Sequence, residues 1–330
     1  MSYEKPLRVG CRGFLFGSRC VEKIKIFGWN GYRFSAQDVT MVVAPEIGGR
    51  IISLCYAGTE LFFVQKEYAG QVFDFSNIST LRAEKQKLGF RVWGGDKTWV
   101  APQKDWLEGM PPLELDAGRY QEELADHGIT MVSPVCRETG LQIVRKVTLN
   151  PDGSVHLGQE LTNKGKATVY KGIWNVTQLL RPVDVYIPTT KDKLRSYHEE
   201  DISLPDHNIV VDQINGWCRI PCRDKQMFKF GGMVNMGAIV SLRNEEAGTL
   251  EFLKTFYIAP ECEYPHRSAV EVFNAHDHDY LEIEAHASTA CLEPGQSCSH
   301  GQTWRLKRFP KDATPDQVFE HMTGAIYQRS

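Results

Sequence analysis

Alternation is the feature that most constrains this chain. Val39, Met41 and Val43 lead into IISL and then ELFFV, and further runs of alternating apolar and polar residues occupy 141–149, 155–161, 168–174, 238–242, 250–257 and 280–284. Successive side chains of an extended backbone point to opposite faces, so a period of two marks strands with one face buried. Gly, Asn, Asp and Pro separate the runs, as in NPDG at 150–153 and NKGK at 163–166, which have the composition of hairpin turns. No strand–helix alternation of the kind that builds a parallel doubly wound sheet is present. The expected fold class is mainly β, a large antiparallel two-sheet sandwich.

At 330 residues the chain suits one large domain spanning 1–330, with 1–37 as an N-terminal elaboration and 312–330 as a C-terminal helix. Thr314 starts that helix as a cap, Pro315 fills its first turn and Gln317 sits at the capping-box position, followed by Val318, Phe319, Met322 and Ile326 at helical spacing. The stretch 107–128 reads as a long irregular excursion, and such excursions on β scaffolds often line sites. A hydrophobic content of 42% supplies a sizeable core. With 38 basic against 41 acidic residues, a net charge of −3 gives no global field for nucleic acid or anionic membrane. No segment approaches the roughly 18 apolar residues of a membrane span, and MSYEKPLRVGCRGF lacks the apolar run of a secretory leader. A soluble cytoplasmic protein is expected. Nine scattered Cys imply reduced thiols. Cys218 and Cys222 resemble half of a zinc site but lack a second pair, and His276 and His278 in HDHDY fall where a turn is expected, so neither a resident metal nor a cofactor is expected.

The segment GFRVWGGDKTWVAPQKDW, 89–106, gathers three of the chain's seven Trp with Arg91, Asp96, Lys97, Gln103, Lys104 and Asp105 around Gly94-Gly95. A pyranose has an apolar face that rests on an indole and a rim of hydroxyls that needs convergent donors and acceptors. A Gly-Gly hairpin between buried strands gives much the same pattern without a ligand. On strand 141–149, Arg145 shares a face with Leu141, Ile143, Val147 and Leu149; it either pairs with a buried carboxylate or reaches a cleft. Glu282 and Glu284 share one face of YLEIEAH, where partial desolvation would fit either for acid–base work. Glu271 in AVEVFN and His266 in the loop ECEYPHRSA are further candidates. In WNVTQLLRP, Trp174, Asn175, Thr177, Gln178 and Arg181 make a polar strand that is hard to explain as core.

Several of these motifs, in this order, resemble the galactose mutarotase-like (aldose epimerase-like) superfamily over about residues 38 to 307. APEIGGRIISLCYAGTELFFV, 44–64, is similar to its N-terminal strand pair, and YLEIE followed by LEPGQS and TWRL, 303–306, is similar to its last two strands. GGDKTWVAPQKDW, Arg145 and IWNVTQ look closer to an uncharacterised branch than to the true galactose mutarotases. The resemblance implies a sandwich whose concave face binds a carbohydrate. There a Glu takes the proton of the anomeric hydroxyl and a His protonates the ring oxygen. Spacing to the following Pro-Gly turn favours Glu282 for the Glu, with Glu284 as the near alternative. Val176-Thr177-Gln178 occupies the expected place of the His, and the His-x-Tyr-Phe pattern is missing.

Lys97, Arg145 or His266 could take over the missing role. Glu282, Lys97, Arg145 and His266 are therefore the catalytic candidates, and Arg50, Arg91, Trp93, Asp96, Trp99, Gln178, Glu271 and Glu284 the substrate-binding ones. Three activities fit: a carbohydrate-active enzyme of mutarotase or epimerase type, a non-catalytic sugar-binding or sensing protein, and a lyase or other carbon-acid enzyme on an acidic sugar. The expected partner is a small-molecule carbohydrate, without nucleic acid or membrane.

Overall fold

A computed structural model describes residues 21–73, 83, 92–197, 204 and 208–327. Its strands are antiparallel and form two sheets, the sandwich expected from the alternation. The larger sheet has 12 strands, in the order 21–26, 29–36, 39–44, 50–56, 96–101, 169–180, 280–286, 270–274, 228–232 and 194–196, with 59–60 and 290–292 attached. The smaller has 10, in the order 212–214, 217–222, 183–187, 238–245, 248–256, 297–309, 155–163, 141–149, 128–132 and 121–125. Ile51, Ile173, Leu179 and Ile283 from the first sheet meet Ile143, Leu157, Phe252 and Trp304 from the second in one apolar core.

The local signals act as their chemistry requires. Asn150 N donates to Ser154 O at 2.8 Å, closing the NPDG turn. Thr314 Oγ1 accepts from Gln317 N at 3.2 Å while Gln317 Oε1 accepts from Thr314 N at 2.9 Å, a reciprocal box that starts the helix Pro315–Tyr327. Two expectations are revised. Within 107–128 lie a helical turn, Leu113–Asp116, and the strand Gln121–Ala125, which pairs with Gly128–Val132 at the edge of the smaller sheet. Residues 21–36 of the N-terminal elaboration form the first two strands of the larger sheet, with Val21–Ile26 at its edge. Gly94-Gly95 is a close crossing instead of a hairpin turn. Gly95 N donates to Phe63 O at 2.8 Å, and a Cβ on Gly94 would stand 2.2 Å from that same oxygen, so only glycine fits.

Between the sheets lies a polar clamp. Arg145, on Leu141–Leu149, forms an ion pair with Asp96 and also donates to Gly49 O at 2.9 Å; both side chains are fully buried. The other oxygen of Asp96 accepts from Thr177 Oγ1 at 2.6 Å and Asn175 Nδ2 at 2.9 Å. Lys254, from the smaller sheet, donates to Asn175 Oδ1 at 2.5 Å and Thr177 Oγ1 at 2.7 Å. Burial pushes the Lys254 ammonium down to about 8, with Asp96 opposing the shift. Asp96 and Arg145 therefore stitch the two sheets together inside the sandwich. Neither reaches the outer face on which a cleft was expected, because alternation turns Asp96 inward when Lys97 points outward. Replacing Arg145 with Met leaves Asp96 without its ionic partner on that strand, and urea unfolding should show a loss of about 3–5 kcal/mol. A loss under about 1 kcal/mol contradicts the clamp.

Candidate active site

The residues that alternate with the clamp build the opposite, outer face of the larger sheet. Register sets them out in rows. Trp99 pairs across to Trp174 and Trp174 to His286; Lys97 to Val176, Val176 to Glu284, and Glu284 to Glu271; Gln178 to Glu282, Glu282 to Phe273, and Phe273 to Lys229. Directly opposed residues on one face are neighbours and diagonal ones come within reach of long side chains, so these rows bring the charged groups together.

Two ionic groups result. In the first, Lys97 Nζ is 3.2 Å from Glu282 Oε1 and 4.1 Å from the centre of the Trp99 ring, and Gln178 Nε2 donates to the same Glu282 oxygen at 2.7 Å. Burial lowers the pKa of Lys97, with Glu282 opposing. In the second, Lys229 Nζ bridges two carboxylates, at 2.7 Å from Glu271 Oε2 and 3.1 Å from Glu284 Oε2. Trp174 Nε1 donates to that Glu284 oxygen at 2.7 Å. Tyr197 OH donates to Glu271 Oε1 at 2.5 Å, and His266 Nδ1 lies 3.1 Å from it. Gly231 makes room: a Cβ there would come within 2.8 Å of the Tyr197 ring.

Protons divide unevenly in the second group. Burial raises the Glu271 carboxyl, but Lys229 and His286 outweigh it and hold the group well below the usual range. Burial and neighbouring Glu271 push Glu284 well above that range against the pull of Lys229. The ammonium of Lys229 is raised despite burial, because both acids favour its charge. The two cross-strand carboxyls are thus shifted in opposite directions, a separation typical of acid–base sites.

His266 is the imidazole at the surface of this network. Its Nε2 accepts from Gln103 N at 3.2 Å, so by hydrogen-bond pattern Nδ1 carries the proton and donates to Glu271. His266 lines a cavity of about 810 Å³ together with Trp106, Tyr197 and Lys229. Trp106 stacks on Trp174 at 5.5 Å and meets Trp99 edge-on at 5.2 Å, forming an aromatic wall. His286 stacks beneath Trp174, with Nε2 3.2 Å from Glu271 Oε2. Ligand atoms of His266, Glu271 and His286 lie within 4.8 Å of one another, a spacing that metal ligands also show. Lys229 also holds the Glu271 oxygen that faces His286, so that carboxylate is already paired with an ammonium.

The site therefore draws on part of the expected set. Lys97, Trp99, Gln178, Glu271, Glu282 and Glu284 share the outer face, and His266 joins them from its loop. Arg50 lies beside them, held by Asp116 at 2.7 Å, and Asp116 also accepts from Trp99 Nε1 at 2.6 Å. Trp93 instead packs with Trp29, Tyr68 and Phe73, away from the tryptophan wall. Asp96 and Arg145 belong to the clamp, and Arg91 lies outside the described residues. Cys218 and Cys222 are buried on one strand, and His278 stacks on Phe63 and Tyr280; among the described residues neither pair forms part of a three-ligand group. Sequence reasoning missed Lys229, Tyr197 and His286. His286 was within reach, since it follows Glu282 and Glu284 on the same alternating face of Tyr280–His286.

A family model described as Domain of unknown function (DUF4380) matches residues 31–307. The chain belongs to that family. No curated protein matches it. Among solved structures, a putative aldose 1-epimerase from Escherichia coli K12 superposes with a TM-score of 0.54 at 13% identity, covering 84% of this chain and 99% of the other. A putative mutarotase from Salmonella typhimurium gives 0.54 at 8% identity over 88% and 95% of the two chains. A galactose mutarotase-like protein from Lactobacillus casei gives 0.55 at 9% identity over 84% and 100%. The chain thus has the galactose mutarotase-like fold. No helix among the described residues is long and apolar enough to cross a membrane.

Burial of neutral imidazoles links this face and the core to pH. Burial depresses His286 to about 4 and His300, inside the sandwich, to about 3, against an ordinary value of 6.5. Below pH 6.5 the unfolded chain binds protons that the folded one refuses, so this stability is full above 6.5 and is lost as the pH falls toward 4 and 3. Denaturant unfolding across pH 7 to 4 should show falling stability, with a flatter slope in a His300→Gln variant. Parallel slopes contradict this assignment.

Proposed function

We propose that this protein is a carbohydrate-active enzyme of mutarotase or epimerase type, acting on a sugar held in the cavity beside Trp106. The observation that carries the reading is the placement of His266, which lines the cavity while Glu271, Tyr197 and Lys229 stand behind or beside it. A His missing from the central strand is replaced by one from a loop, packed against that strand's Trp174 at 4.9 Å between ring centres.

In this reading the pyranose rests against Trp106 and its anomeric hydroxyl takes the place of Gln103 N at His266 Nε2. His266 accepts the proton as the bond from the anomeric carbon to the ring oxygen breaks, and Glu271 stabilises the imidazolium that forms. Charge grows on the ring oxygen, where the Lys229 ammonium at the cavity wall is the donor, the Tyr197 proton being held by Glu271. Return of the proton and reclosure on the other face of the carbonyl give the other anomer. Glu282, Lys97 and Gln178 form the adjoining wall of the same face, and Glu284 keeps Lys229 in place.

Saturation-exchange NMR on a panel of free aldoses tests this directly. Anomer exchange should exceed the buffer rate, and His266→Asn should reduce it by at least about 100-fold. Glu282→Gln should cost less. The reverse order moves the chemistry to Lys97 and Glu282; binding without exchange makes the protein a sugar-binding one; an unsaturated, ultraviolet-absorbing product from uronates makes it a lyase.

A further inference from the structure

The cavity wall carries charge that the chemistry above does not use. Four cations line it, Lys104, Arg195, Lys229 and Arg267, against one carboxylate, Asp105. Asp105 is already held by Lys171 at 2.5 Å, and Lys229 by Glu271 and Glu284. Lys104, Arg195 and Arg267 remain, with no carboxylate partner among the described residues. On a chain whose net charge is −3, a cavity lined by three uncompensated cations is a local reversal of sign.

Arg195 is also held in position. Its Nη2 donates to the backbone oxygen of His266, and its guanidinium lies 5.2 Å from the centre of the Tyr197 ring. Only Nη2 of its fork has a protein acceptor among the described residues, so the other donors remain available. Arg267 follows His266 in the same tight segment, both with left-handed backbone angles, φ 55° and 54°. The residue proposed to move the proton and two of the free guanidinium groups are thus coupled through a few backbone atoms. A volume of about 810 Å³ leaves room for a substituent beyond the pyranose ring.

We infer that the substrate is an anionic sugar, bearing a carboxylate or a phosphate that Lys104, Arg195 and Arg267 receive at the cavity wall. This rests on the reading of the cavity as a sugar site and names the class of sugar it takes. A forked guanidinium binds either oxyanion through paired, charge-assisted hydrogen bonds.

Calorimetry on the intact protein tests it, with galactose and glucose compared with galacturonate and glucuronate and with the corresponding 6-phosphates. One anionic set should bind at least about tenfold more tightly than its neutral parent, and added salt should narrow the gap. Preference for the uronates identifies a carboxylate, and preference for the 6-phosphates a phosphate. In a Lys104→Gln, Arg267→Gln double variant, which spares the Arg195 contact to His266, the ratio should fall toward one while the melting temperature holds. Equal affinity for neutral and anionic sugars in the native protein overturns this inference and leaves the sugar reading standing. An anionic preference that survives in the double variant also overturns it. Binding of no sugar at all overturns both.

Discussion

The buried ion pair between Arg145 and Asp96 is the constraint on which the rest depends. It fixes which residues of the central strands face inward. Once Asp96, Asn175 and Thr177 are committed to the clamp between the sheets, alternation sends Lys97, Trp174, Val176 and Gln178 outward. A slip of one residue would exchange the two sets. The interior polar network and the outer acid–base face are two consequences of one register, and a chain that used only apolar residues inside would specify that register less sharply.

The outer face meets a second constraint, the cost of burying charge. Five ionisable groups, Glu271, Glu284, Lys229, His266 and His286, stand within one connected cluster, most of them fully buried. Such a cluster persists only if charges are paired or suppressed. Lys229 pairs with both carboxyls, while burial raises the Glu284 carboxyl and depresses the His286 imidazole. The energetics that let the cluster fold also leave it with separated proton donors and acceptors beside an aromatic-walled cavity.

Much of this was legible in the chain. Period two gave long strands such as Leu141–Leu149, Val155–Asn163 and Gly248–Phe256 but not Trp29–Ala36 or Ser297–Phe309, and Thr314 to Gln317 gave the helix start. YLEIEAH placed Glu282 and Glu284 on one face and held His286 as well. Arg145 was ambiguous on sequence alone, because a charge on an apolar face is equally a core ion pair or a cleft residue; only the facing strand, with Asp96 on it, separates the two. Trp93 and Trp99 looked equivalent around Gly94-Gly95, yet the close crossing there sends Trp93 into a different aromatic cluster. Tyr197 left no trace, since it reaches Glu271 across Gly231 from a short strand at the sheet's far edge.

The account's central claim is where a sugar sits. A crystal structure of the protein with a bound pyranose tests it most directly: the ring should lie against Trp106, with its anomeric oxygen about 2.6–3.2 Å from His266 Nε2. A sugar bound on another surface, or on this face without approaching His266, would contradict it.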